Sequence, residues 1–152
     1  MSAEGKKPAP FEAIHRHGFV RVAAATPLAS SGDVAFNVEQ TLLLARRAHE
    51  RGVDLLVFPE LNVSSYAVDD LHLQEAFLDE VELGIGRIAK QAAELTPVLV
   101  VGAPVRRNGR LYNCGIAIAR GTILGDSSGM LKLMFHAETR VLAPHRFSTN
   151  SP

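Results

Sequence analysis

The sequence predicts an α/β domain that opens with a strand–helix–strand unit. Three short, nearly continuous apolar runs, 19–25, 53–58 and 98–103, have the length and composition of strands covered on both faces. Two longer stretches, 34–51 and 73–95, carry apolar residues at spacings of three and four, which is the helical period. A helix between two buried strands with short joins makes the strands parallel neighbours in one sheet.

Residues 1–10 are polar, with two lysines and two prolines, and read as a disordered leader; order is expected from about Phe11. The first strand, 19–25, is expected to be largely buried and to stop at Thr26-Pro27. Asp33 follows a Ser30-Ser31-Gly32 turn and is placed to cap the first helix. Val34, Val38, Thr41, Leu42, Ala45 and Ala48 line one side of that helix, and Gly52 stands where its C-terminal reversal belongs. The run 53–58 then reads as a strand buried on both faces.

Periodicity lapses after Pro59 and resumes in the second helix. Asp69-Asp70 are expected to cap it, and Leu78, Val81, Ile85, Ile88, Ala92 and Leu95 form its stripe. Gly84 and Gly86 each lower helix propensity by about 1 kcal/mol against alanine, so packing has to hold this helix. Pro97 ends it and the third strand, 98–103, follows. Asn108-Gly109 signals a hairpin turn before a fourth strand, 111–119, which Asn113 and Gly115 interrupt. Gly121 opens another turn. From 126 onward the pattern degrades; 130–135 fits strand or helix. About four strands and two helices make an architecture that stops before it is finished.

Composition excludes several function classes. Of the 152 residues, 47% are apolar and 21% charged, and 16 basic residues balance 16 acidic ones. A net charge of zero gives no electrostatic reason to expect a nucleic-acid or anionic-membrane partner. The apolar run 19–28 is broken by Arg21 and Pro27 and is too short to span a bilayer. A single cysteine, Cys114, forms no internal disulfide and fits a reducing, cytoplasmic setting. The scattered histidines match no metal-site spacing. One glycine in 26–32 makes no phosphate-cradling loop, so the strand–helix start implies no dinucleotide site. Arg106, Arg107 and Arg110 read as a solvated basic turn rather than a phosphate site.

Glu60 is the leading candidate for chemistry. It follows Pro59 at the carboxyl end of a buried strand, where open α/β sheets place ligands. A carboxylate partly withdrawn from water there is suited to take up a proton, although a surface carboxylate capping a helix or pairing with an arginine would look the same in sequence. Tyr66 stands six residues on.

The run Val57-Phe58-Pro59-Glu60-Leu61-Asn62-Val63-Ser64-Ser65-Tyr66 resembles the Phe-Pro-Glu-Leu…Ser-Gly-Tyr segment of the nitrilase, or carbon–nitrogen hydrolase, superfamily. Arg16-His17-Gly18-Phe19-Val20-Arg21-Val22-Ala23-Ala24, Ala48-His49-Glu50-Arg51-Gly52 and Pro97-Val98-Leu99-Val100-Val101-Gly102-Ala103-Pro104 extend the likeness, as do Tyr112-Asn113-Cys114 and Arg120-Gly121-Thr122-Ile123-Leu124-Gly125. Together they are similar to the glutaminase domains of bacterial glutamine-dependent NAD synthetases. The likeness covers 11–125 as the N-terminal part of such a domain and leaves 126–152 as a divergent tail.

The resemblance implies a partial α-β-β-α sandwich, incomplete at its C-terminus, and a Glu-Lys-Cys site. In that chemistry the cysteine attacks the glutamine side-chain amide and ammonia leaves from a thioester that water then hydrolyses. The glutamate is the base and the lysine stabilises the oxyanion. By this likeness Glu60 is the general base and Tyr66 lies in the segment lining the substrate pocket. The family lysine's register falls on Gly129. Lys132, three residues late, is displaced by roughly 10 Å along a strand, and a solvated lysine is the better reading of it. Cys114 is off the nucleophile's motif position and reads as a core cysteine.

The implied substrate is glutamine, with the ammonia passing to NAD synthesis. The hydrolase domain needs no cofactor, and ATP belongs to a synthetase domain absent from these residues. The expectation for the chain alone is little or no glutaminase activity. The competing reading is a non-catalytic association module or vestigial fragment, in which uncovered apolar faces favour homo-oligomers.

Overall fold

The computed structural model describes residues 14–124. The leader, the tail 126–152, the run 130–135 and Lys132 lie outside them. After a 3-10 turn at Ile14–His17, the elements are β1 (Val22–Ala24), α1 (Val34–Glu50), β2 (Leu55–Val57), a second 3-10 turn (Asp69–Leu73), α2 (Glu75–Gln91), β3 (Val98–Arg107), β4 (Arg110–Ala119) and β5 (Thr122–Ile123).

The five strands form one mixed sheet in the order β1-β2-β3-β4-β5. β1, β2 and β3 run parallel, with Ala23 opposite Leu56 and Leu56 opposite Leu99. β4 and β5 add antiparallel. Both helices pack on one face. Val34, Val38, Leu42 and Ala45 of α1 and Val81, Ile85 and Ile88 of α2 share a core with Leu56, Leu99, Val101, Ile116 and Ile118. The described residues thus form a helix layer on a sheet layer, an incomplete α/β sandwich.

The helix ends follow local chemistry. The Asp33 carboxylate accepts the Phe36 N–H at 2.9 Å and caps α1. At the other end Gly52 adopts φ +64°; its N–H donates to the His49 carbonyl while Val53 N–H reaches back to that of Ala48. These are the paired bonds of a Schellman reversal, and a left-handed residue is needed to make them. Asp69 and Asp70, expected to cap α2, fall inside the second 3-10 turn. The cap position is Gln74, and its side chain makes no capping bond. The turn's backbone delivers the chain to the helix instead, with Gln74 N–H donating to the Leu71 carbonyl at 2.9 Å.

The two α2 glycines differ. Gly84 faces α1, and a β-carbon on it would lie 2.8 Å from Val34 Cγ1 and 3.1 Å from Val38 Cγ2, so the helices touch because Gly84 has no side chain. Gly86 faces open space.

Both tight turns place two residues in the left-handed region, Asn108 and Gly109 (φ 51° and 71°), then Arg120 and Gly121 (φ 47° and 79°). That is the signature of a type I′ hairpin. Pro104 sits inside β3 opposite Asn113. It removes no ladder bond, because alternate residues of β3 aim their N–H away from β4 and β2 has already ended on that side.

The parallel unit, both helices and the Asn108-Gly109 hairpin match the sequence expectations. The burial of the strands does not. β1 is an edge strand shorter than the 19–25 run: Val22 is 62% exposed, Phe19 and Val20 just before it are 66% and 68% exposed, and Val57 of β2 is 39% exposed. Apolar runs signal two covered faces; among the described residues the helices cover one face, and the turn after β2 covers part of the other, over Gly102.

Candidate functional site

Glu60 lies on the turn that leaves β2, and that turn is held from three directions. The first is β3. A β-carbon on Gly102 would collide with the Pro59 carbonyl oxygen and lie 2.5 Å from the Leu61 nitrogen and 2.9 Å from the Glu60 carbonyl carbon. Only glycine lets the main chain around Glu60 rest on β3. Val63 N–H donates to the Gly102 carbonyl at 3.1 Å.

The second hold comes from Asn62. Its Oδ1 accepts the Gly102 N–H at 2.8 Å and its Nδ2 donates to Thr41 Oγ1 at 2.9 Å. β2 has ended at this level, so the side chain takes the place of the missing strand partner. The Thr41 hydroxyl donates in turn to the Asn37 carbonyl at 2.8 Å. Asn37 Nδ2 donates to the carbonyls of Ser30, at 2.9 Å, and Val63, at 3.2 Å. Asn37, Thr41 and Asn62 are buried, and among the described residues no buried side-chain nitrogen or oxygen lacks a partner. Such a network specifies one geometry because an unpaired member would be destabilising by about 1–3 kcal/mol.

The third hold is on the carboxylate itself, where Asn113 Nδ2 of β4 donates to Glu60 Oε1. The turn also contains two strained residues, Leu61 at φ 53° and Ser65 at φ 70°. Non-glycine residues persist there only where their surroundings over-determine them.

Alternation along the strands fixes which side of the sheet this is. Val101, Ala103, Cys114 and Ile116 point to the helices, so Gly102, Pro104, Asn113 and Gly115 belong to the other face. Glu60 is exposed there rather than partly withdrawn from water; the turn that carries it is what lies over Gly102 on that face. Cys114 is half-buried against the helix-side core, and burial pushes its thiol pKa up. A raised thiol pKa disfavours the nucleophilic thiolate, and the sheet stands between Cys114 and Glu60. Tyr66, 73% exposed, follows the Ser65 reversal.

Behind the turn, His72 is buried, with Nε2 3.4 Å from Ser64 Oγ and its ring 6.0 Å from Phe77. Burial lowers its pKa. Ser64 is completely buried and donates to backbone carbonyls, so the pair is packing rather than a nucleophile with its base. Arg106 extends from the end of β3 to α2, where it pairs with Asp79 at 2.8 Å. Among the described residues no group of three or more His, Cys, Asp or Glu side chains could hold a metal ion, and no helix is long and apolar enough to cross a membrane.

The sequence singled out Glu60, but not Asn62, Gly102 or Asn113. A lone glycine within an apolar strand run is a sign of close backbone approach, and it stood at Gly102. Asn37 and Thr41, four apart on the apolar side of α1, were the sign of a buried polar contact.

The profile of the Carbon-nitrogen hydrolase family matches residues 20–146. The glutamine-dependent NAD(+) synthetase of Mycobacterium tuberculosis is 46% identical over 115 residues, which are 76% of this chain and 17% of that protein. The enzyme of the same description from Mycobacterium leprae is 47% identical over 111 residues, 73% of this chain and 16% of its own length. The chain thus spans about a sixth of the length of these curated relatives. Among solved structures, a glutamine-dependent NAD(+) synthetase from Cytophaga hutchinsonii superposes with a TM-score of 0.65 at 25% identity, covering 70% of this chain and 18% of that one.

Proposed function

Because the chain belongs to the carbon–nitrogen hydrolase family, we propose that residues 14–124 carry the base half of a glutamine-amide-hydrolysing site, with Glu60 as the general base. The observation that supports this most is the triple hold on Glu60: Gly102 beneath its main chain, Asn62 beside it, and Asn113 on its carboxylate. A catalytic base works when it is fixed within hydrogen-bond reach of the proton it moves. This turn fixes the carboxylate and leaves it open on one side.

In the reaction proposed, Glu60 takes the proton of a cysteine thiol as sulfur attacks the glutamine side-chain carbonyl carbon. It returns that proton to the leaving nitrogen as the C–N bond breaks and ammonia departs. Water then adds to the thioester, activated by the same carboxylate, and glutamate leaves. Tyr66 belongs to the pocket wall in this reading. Cys114 is the one cysteine of the sequence, and it lies on the helix side of the sheet. Residues 1–152 alone therefore release little or no ammonia from glutamine.

Two measurements test the reading. The purified chain should release no ammonia from glutamine above background; turnover abolished in both Glu60→Gln and Cys114→Ser would overturn the assignment of Cys114 to the core. In the positive arm, residues 20–124 replace the matching segment of the Mycobacterium tuberculosis relative. The chimera should support glutamine-dependent NAD synthesis. Glu60→Gln should abolish it and leave synthesis from free ammonia intact, and full glutamine-dependent activity in that variant would overturn the base role.

A second reading, association through the open sheet face, is favoured by the exposure of Val22 (62%) and Val57 (39%) on it. Sedimentation of the purified chain as a monomer across a wide concentration range would rule it out.

A further inference from the structure

We propose that Asn113 is the positioning residue of Glu60, so that the β3–β4 hairpin sets the direction of the carboxylate as well as the height of its main chain. This rests on reading Glu60 as the base. Gly102 and Asn62 act on backbone: they fix where the Glu60 Cα stands and leave the side chain its own rotations. Asn113 is different. Its Nδ2 donates directly to Glu60 Oε1 across 53 residues of sequence.

The placement of Asn113 follows from the pairing. Asn113 lies opposite Pro104, and Gly115 lies opposite Gly102. Moving two residues along β4 from Gly115 keeps the same face and advances toward the Asn108-Gly109 turn by about 7 Å. That displacement matches the reach of a glutamate whose main chain rests on Gly102. Both residues are exposed, so Asn113 fills no core space, and the contact with Glu60 is what its side chain contributes.

An amide donor has a specific consequence for a base. It occupies one lone pair of Oε1 and leaves Oε2 with its full accepting capacity, so proton transfer is directed to one oxygen. A lysine or arginine at the same position would pair with the carboxylate and compete for its charge. A neutral amide orients it without neutralising it.

The test uses the full chain and reads the contact spectroscopically. In the parent, one Asn113 Nδ2 proton should exchange with water about tenfold more slowly than those of the exposed Asn108 side chain. The two Glu60 Hγ protons should also have distinct shifts. Glu60→Ala should remove the Asn113 protection. Asn113→Leu keeps the side-chain shape but has no N–H to donate and adds no charge, and should merge the Glu60 Hγ signals at an unchanged melting temperature. Asn113→Ala should do the same. Asn113 exchange unaffected by Glu60→Ala, or Glu60 Hγ shifts still distinct in Asn113→Leu, overturns the proposal. The result separates from the base assignment. The Asn113 signature together with an active Glu60→Gln chimera upholds the positioning contact and overturns the base. An inactive chimera without the signature overturns the positioning contact alone.

Discussion

Replacing Gly102 by alanine adds one carbon at the point where β3 supports the Glu60 turn. That carbon would overlap three main-chain atoms, of Pro59, Glu60 and Leu61, at distances real β-carbons essentially never show. No side chain can rotate away to relieve it. The Leu61 backbone is already left-handed, and Asn62 ties the next residue to the Gly102 N–H. Overpacking in a well-filled site is destabilising by about 1–3 kcal/mol, and a collision with backbone alone places this case at about 3. For a domain of this size that lowers the melting temperature by roughly 10–20 °C.

Two internal controls share the same chemical change. At Gly84 the added carbon meets Val34 and Val38 side-chain atoms, and the clash is offset by about 1 kcal/mol of regained helix propensity. The net loss should be about 1 kcal/mol. At Gly86 it meets nothing, and alanine should stabilise by about 0.5–1 kcal/mol. Urea unfolding of the three variants followed by circular dichroism should rank Gly86→Ala above the parent, then Gly84→Ala, then Gly102→Ala. A Gly102→Ala chain within about 0.5 kcal/mol of the parent would refute the claim that β3 holds the turn.

Three further outcomes are expected. Asn62→Ala should be destabilising by about 1–3 kcal/mol, because it strands the Gly102 N–H and takes away the donor to the Thr41 oxygen; a double-mutant cycle with Thr41→Val should give a coupling of about 0.5–3 kcal/mol, and simple additivity would break the proposed network. Burial lowers the His72 pKa, so the unfolded chain binds that proton more readily than the folded one. Unfolding midpoints should therefore be steady above pH about 6.5 and fall as the pH drops below it toward the lowered folded-state value, a dependence that His72→Phe should flatten. Cys114, whose thiol pKa is raised by burial, should react with a disulfide reagent at neutral pH far more slowly in the native chain than in urea; equal rates would place it outside the core.

What could be read from the sequence was local. Asp33, the apolar positions of α1 and Gly52 mark a whole helix because cap, stripe and reversal lie within 20 residues of each other. Asn108-Gly109 names its own turn type. The continuous apolar runs announced strands correctly and overstated how many faces are covered, since Val22 and Val57 remain exposed. Run length reports that a strand wants two neighbours and says nothing of whether both are at hand. Asp69 and Asp70 do not cap α2 because they belong to a packed 3-10 turn that ends before it, with His72 buried against Phe77.

Of the site, only Glu60 was visible, through the proline before it and the strand behind it. Asn62 is two residues from it, but the groups that complete its hold, on Gly102 and Asn113, lie 40 and more residues away, on strands whose register is set by sheet pairing. Periodicity carries no information across such a gap. In sequence Gly102 is one member of an apolar strand run and Asn113 an interruption of another, because the partner of each is another segment's backbone or carboxylate.

The supports of Glu60 all come from behind and beside it, from α1, β3 and β4, and none from the direction in which the carboxylate opens. The helix–sheet half by itself therefore holds the Glu60 carboxylate in place and leaves one side of it open. Whatever arrives there meets an acceptor already fixed in direction, and the entropy of ordering that acceptor is not subtracted from the affinity of the encounter. Variation on the approaching side can then change what is recognised while the carboxylate stays where it is.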